Sequence, residues 1–157
     1  MTGKESPIVL PPVDQIGLVV RDLEKTAAFY HSTFGIGPFS IVPEVRFEGV
    51  ILRGQPTNSK IKVAFADSGP LQIELIQPLD GENIYAEFLR AGHEGLHHLG
   101  FRVDDFDGML AEFKQKGIEP TFWKHFGFTA FAYMDTAKVG GVLAELLWPK
   151  ERRKRKK

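Results

Sequence analysis

Four residues carry the chemistry legible in this 157-residue chain: Gln15, Glu74, His98 and Glu145. Each interrupts a short apolar run, and they fall into two pairs. Gln15-Ile-Gly-Leu-Val-Val-Arg-Asp22 lies over His98-Leu-Gly-Phe-Arg-Val-Asp-Asp105 at an offset of 83 residues, and Leu71-Gln-Ile-Glu74-Leu-Ile-Gln-Pro78 over Val142-Leu-Ala-Glu145-Leu-Leu-Trp-Pro149 at an offset of 71. A single Glu in an apolar strand is usually a satisfied structural group or an edge residue. Two in repeat-equivalent strands are different, because burying neighbouring carboxylates without a cation costs roughly several kcal/mol. One imidazole, two carboxylates and an amide form a mixed N/O donor set that suits Zn²⁺, Co²⁺, Ni²⁺ or Mn²⁺, with coordination positions left for water and substrate. His97 is the rival to His98, but strand alternation puts the two on opposite faces and only His98 shares its register with Gln15. His31, His93 and His125 read as surface or packing residues, with His125 able to line a pocket, and Lys138 as a solvated turn lysine within reach of a substrate phosphate or carboxylate.

The elements that must position these donors repeat as well. Each half opens with a strand that runs into a helix start, where Asp22 and Asp105 are suited to cap the first turn. Leu23, Ala27, Tyr30 and Phe34 form one apolar stripe and Phe106, Met109, Leu110 and Phe113 the other, with Gly35 and Gly117 placed to end the helices. Pro38–Val42 and Ile61–Ala66 in the first half, and Thr121–Phe126 and Thr129–Met134 in the second, have strand composition. Asn58 and Asp67-Ser-Gly-Pro70 read as turns, and Asn83–Ala91 as a linking helix. The expected organisation is a flexible start over 1–12, a βαβββ module over 13–80, a linking helix over 81–95, a second βαβββ module over 96–149 and a basic disordered tail over 150–157. Two such units side by side form an α+β fold whose curled mixed sheet surrounds a central metal cleft.

Composition narrows the classes. With 43% hydrophobic residues and 13 Phe the chain can build a real core, and the absence of Cys removes disulfides, thiolate nucleophiles and zinc-finger sites. No apolar run reaches the roughly 18 residues of a membrane span, and Met1–Pro12 lacks the basic-then-apolar order of a secretory signal, so a cytoplasmic location is expected. Lys150–Lys157 holds seven of the 20 basic residues, which leaves 13 basic against 19 acidic in the remainder. No aromatic residue interleaves those charges to stack on bases, so the expectation is a dispensable solubilising tail and no nucleic-acid partner.

Beyond these readings, Pro78-Leu-Asp-Gly-Glu-Asn-Ile-Tyr-Ala-Glu-Phe-Leu-Arg-Ala-Gly-His-Glu-Gly-Leu-His-His-Leu-Gly-Phe-Arg-Val-Asp-Asp105, together with Gly140-Gly-Val-Leu-Ala-Glu-Leu146, resembles the vicinal oxygen chelate superfamily of glyoxalases, bleomycin resistance proteins and dioxygenases, most nearly its methylmalonyl-CoA epimerases. The resemblance covers residues 13–149. It implies one divalent metal ion (Co, Zn, Ni or Mn) held by Gln15, Glu74, His98 and Glu145, commonly in a homodimer. It further implies proton abstraction next to the carbonyl of an acyl-CoA thioester, with Glu145 as the base; the second, non-ligand acid of epimerases has no clear counterpart in the sequence, and Glu74 is the residue expected to return a proton from the opposite face. The epimerase pattern has His where this chain has Gln15, and its usual glycine-rich segment is replaced by Phe122-Trp-Lys-His-Phe-Gly-Phe128. Gln in the first position is similar to eukaryotic-type glyoxalase I, which makes a lactoylglutathione-lyase-like enzyme the second reading. A non-catalytic small-molecule-binding protein of the same fold is the third.

Overall fold

The computed structural model describes residues 6–152. The first module comprises β1 (Gln15–Val19), α1 (Leu23–Phe29), a π-helical turn over Tyr30–Phe34, β2 (Ser40–Leu52), β3 (Gln55–Ser68) and β4 (Leu71–Gly81). After α2 (Ile84–Arg90), the second follows as β5 (Gly95–Arg102), α3 (Phe106–Gln115), β6 (Pro120–His125), β7 (Ala130–Met134) and β8 (Leu143–Trp148). The βαβββ order therefore occurs twice, as the repeat requires. The strands close into one barrel in the order β1-β4-β3-β2-β6-β7-β8-β5, so the modules meet at two seams, β1 against β5 and β2 against β6.

Three apolar clusters hold this arrangement. Val19, Val50, Val63, Ile76, Phe122 and Tyr133 pack together with Tyr85 and Ile84 of α2. Leu23 and Ala27 of α1 pack on Ala64, Ile73 and Leu75 of the first module, and Phe106, Leu110 and Phe113 of α3 on Ala130, Ala132 and Leu146 of the second. Both helices start as the sequence predicts: an Asp22 carboxylate oxygen accepts from Lys25 N at 3.0 Å and an Asp105 oxygen from Gly108 N at 2.9 Å.

Several local expectations are corrected. The stripe on the first helix breaks after Ala27, because the π-helical turn widens the spiral before Gly35 ends it in a left-handed conformation, and Phe34 is left 58% exposed. Asn58 is not a turn residue. It lies inside β3, where its side-chain oxygen accepts from Gly49 N at 2.9 Å and so satisfies the backbone at a bulge in β2. The hairpin instead turns at Arg53–Gly54, both with positive φ (46° and 82°), which allows strands far longer than the β-like segments visible in the sequence. At the start of the described chain, Ile8 and Leu10 rest against the α3 cluster.

The end of the chain also departs from a free tail. Arg152 donates from Nε and a terminal nitrogen to the Asp14 carboxylate, both at 3.0 Å, and also to Asp14 O at 2.8 Å and Pro70 O at 3.1 Å. Arg102 donates to the same carboxylate at 3.0 Å, and Lys150 pairs with Asp104. Residues 153–157 lie outside the described residues. Arg152→Ala is therefore expected to cost about 1 kcal/mol as one member of a partly exposed charge network, or about 2–4 °C in melting temperature by calorimetry.

Candidate metal centre

The four donors sit on four adjacent strands, in the order Glu74 (β4), Gln15 (β1), His98 (β5) and Glu145 (β8). Cross-strand register arranges them in two rows. In one, Glu74 and His98 flank Gly17; in the other, Gln15 and Glu145 flank Gly100. The rows are related by the 83-residue repeat, so each glycine lies beside the central donor of the other module. A Cβ on Gly17 would collide with the His98 ring, and one on Gly100 would come within 3.0 Å of Gln15 Cβ. These two bare positions form the floor over which His98 and Gln15 fold. The alignment Gln15-Ile-Gly17 over His98-Leu-Gly100 contained that signal, but sequence reasoning weighed only the polar residues.

The donor atoms converge. His98 Nε2 lies 3.3 Å from Glu74 Oε2 and 3.2 Å from Glu145 Oε2, and ligand atoms of these three residues all fall within 4.8 Å of one another. Gln15 Nε2 donates to Gln72 Oε1 at 2.8 Å, which turns the other end of its amide toward Glu74 Oε2 (3.1 Å) and Glu145 Oε2 (3.3 Å). Gln15, His98 and Glu145 are 3%, 0% and 4% exposed. His98 Nε2 is buried without a hydrogen bond of acceptable geometry, although both carboxylates are close. An imidazole nitrogen and two carboxylates that converge in this way suit a divalent cation in place of the proton, and the residues present fit one.

Burial pulls the His98 imidazole down, but the Glu145 and Glu74 carboxylates 3.2 and 3.3 Å from its Nε2 outweigh it and hold the group at about 9. Burial raises Glu74, against the lowering effect of His98. In protein stripped of metal, the raised imidazole adds stability that is fully present below its ordinary value of 6.5 and lost as pH climbs through about 9. A metal needs the neutral ring. Loading zinc or cobalt at pH 7.5 is therefore expected to release about one proton from His98, read by titration calorimetry in buffers of different ionisation enthalpy, and the release should vanish above about pH 10.

His97 corrects the expectation from strand alternation. Gly17 pairs with His98 and Leu18 with Leu96, so His97 is the extra residue of a bulge, and both histidines are buried while Leu96 is half exposed. His97 Nδ1 is 3.0 Å from His98 Nδ1, and burial holds the His97 ring down to about 3. Tyr133 closes the other side, its ring edge-on to His98 at 5.0 Å and its hydroxyl 2.7 Å from that of Tyr85.

Gln15, Glu74 and Glu145 open into a cavity of about 560 Å³ lined also by Phe65, Gln72, Leu147 and Thr129, with Arg102 and Arg152 among its lining residues, while His98 lies buried beneath them. A larger cavity of about 670 Å³ reaches His97 but none of the four donors. Lys138 pairs with Asp135, a residue of that second cavity, at 3.0 Å, and is not among the residues lining the first. His125 accepts from Gly127 N and packs edge-on against Phe106 and tilted against Trp148, a packing role.

Residues 14–133 match the model of the glyoxalase/bleomycin resistance protein/dioxygenase superfamily. The chain belongs to that superfamily. Among its relatives, the human mitochondrial methylmalonyl-CoA epimerase is 29% identical over 140 residues, covering 85% of this chain and 72% of that protein. The crystal structure of methylmalonyl-CoA epimerase from Mycobacterium tuberculosis superposes with a TM-score of 0.64 at 25% identity, covering 88% of this chain and 87% of that one. A methylmalonyl-CoA epimerase in complex with methylmalonyl-CoA and ammonium matches with the same TM-score at 23% identity, over 88% of this chain and 94% of that one, and supports the superfamily fold.

Proposed function

We propose that the protein is a metal-dependent epimerase or isomerase that removes a proton next to the carbonyl of an acyl-CoA thioester, with methylmalonyl-CoA as the first candidate substrate. The observation that carries this reading is the convergence of two carboxylates, from repeat-equivalent strands, on one buried imidazole nitrogen. Its similarity to methylmalonyl-CoA epimerases supports the substrate class.

Gln15, Glu74, His98 and Glu145 would hold the divalent cation, which would supply positive charge to the oxygen on which an enolate develops. Glu145 takes the Cα proton, and Glu74, on the far side of β1 and β5, returns one to the opposite face. Phe65 and Leu147 of the cavity wall exclude water from the reacting carbons, and Arg102, held there by Asp14 and Pro149 O, adds positive charge on the side where the substrate's free carboxylate would lie.

Incubating metal-loaded protein with methylmalonyl-CoA in deuterium oxide should exchange the Cα proton, followed by mass spectrometry. The amide of Gln15 favours a second reading, a lactoylglutathione-lyase-like isomerase. Metal uptake with no exchange on the thioester, but turnover of the hemithioacetal of methylglyoxal and glutathione, would select it.

A further inference from the structure

We infer that His97 positions the ligating imidazole: its Nδ1 accepts the Nδ1–H of His98 and thereby commits the His98 Nε2 lone pair to the point where Glu74 and Glu145 converge. The inference rests on the metal reading of that point. It starts from the backbone. A regular β5 would turn His97 away from His98, whereas the bulge opposite Gly17–Leu18 brings both rings to the same buried region. A bulge interrupts the ladder and leaves a residue unpaired, so it is retained where it re-aims a side chain.

The contact has a direction. One proton is shared between the two Nδ1 atoms at 3.0 Å. Were it on His97, the neutral His98 would carry its proton on Nε2, aimed at the carboxylates, and that nitrogen would have no lone pair to give a cation. With the proton on His98 Nδ1, Nε2 is free to ligate and the His97 proton resides on its own Nε2. Apart from the larger cavity that His97 reaches, its surroundings are aromatic. Rings of Phe88, Tyr85 and Tyr133 pack around it at 5.0, 5.5 and 5.9 Å, and among the described residues its recorded hydrogen bond is the one to His98. Histidine ligands commonly give their second N–H to such an acceptor, which fixes ring orientation and raises basicity. Here the acceptor is the preceding residue on the same strand.

Long-range proton–nitrogen spectra of the zinc-loaded native protein test the assignment without substitution: His98 should show a protonated Nδ1 and a metal-bound Nε2, and His97 a bare Nδ1 and a protonated Nε2. His97→Phe keeps the aromatic packing but removes the acceptor, and the zinc dissociation constant should rise about 10- to 100-fold. His97→Asn returns an acceptor near the Nδ1 position and should recover most of that loss. A proton on His97 Nδ1 in the native spectrum, or unchanged zinc affinity in the Phe variant, would overturn the inference while leaving the metal reading intact. Failure of the native protein to take up zinc or cobalt would overturn both. Should the Phe variant not fold, the native spectrum alone decides.

Discussion

Glu145→Gln should leave the barrel folded and much of its metal affinity in place, yet slow Cα proton exchange by about 10² to 10⁴, the usual worth of a positioned general base. The amide oxygen can still face the cation, as that of Gln15 does from the same row, but it cannot accept a proton at neutral pH. Glu145 is nearly buried and pairs across strands with Tyr133, so the isosteric change leaves the packing undisturbed. Glu74→Gln separates the two enzymatic readings. With one carboxylate serving each face, it should abolish racemisation while one enantiomer still takes up deuterium; an isomerase that moves its proton along one face should be affected far less. Full exchange in Glu145→Gln on an authentic substrate would place the base elsewhere.

The second large effect is expected from the smallest substitution. Gly17→Ala puts a methyl group where the His98 ring now lies, and the ring is enclosed by Tyr133 and His97 with no open side to retreat to. Overpacking of this kind costs about 1–3 kcal/mol. The displaced imidazole should lower zinc affinity on the order of 100-fold, comparable with the loss of a ligand's supporting contact. Gly100→Ala is the matched control: its methyl would meet Gln15 Cβ at 3.0 Å and Leu147 Cδ1 at 3.1 Å, so a shift of a few tenths of an ångström accommodates it. Competition with a chromophoric chelator measures both. Equal and full affinity in the two variants would show that His98 does not lie across β1.

The duplicated architecture and the convergence of the four candidate donors were legible because repetition is a strong signal: two offsets locate equivalent strands, and polar residues in equivalent apolar strands stand out. What escaped the sequence were departures from regularity. The bulge at His97 leaves no compositional mark, since Leu-His-His-Leu reads as ordinary alternation, and only pairing with Gly17 and Leu18 reveals the extra residue. The long β2–β3 hairpin was hidden because polar positions such as Glu44, Arg46, Asn58 and Lys60 look like loop when only one face of a strand is covered. Arg152 could not be assigned a partner, because Asp14 and Pro70 are brought to it by barrel closure rather than by proximity along the chain.

That closure is uneven, and the unevenness bears on how a large ligand could enter. At one seam β1 and β5 are registered along the whole of β1, whereas at the other the pairs are Ile51 with Trp123 and Leu52 with Phe122, at the very end of β2. Local openings follow the least-bonded line, so breathing of the barrel should begin there and expose the aromatic lining around Phe47 and Phe122. Amide hydrogens of residues 51, 52 and 123 should then exchange well before those of β1. The donors, anchored on the opposite seam, would hold their geometry throughout, giving a protein with a rigid spine and a flexing far wall.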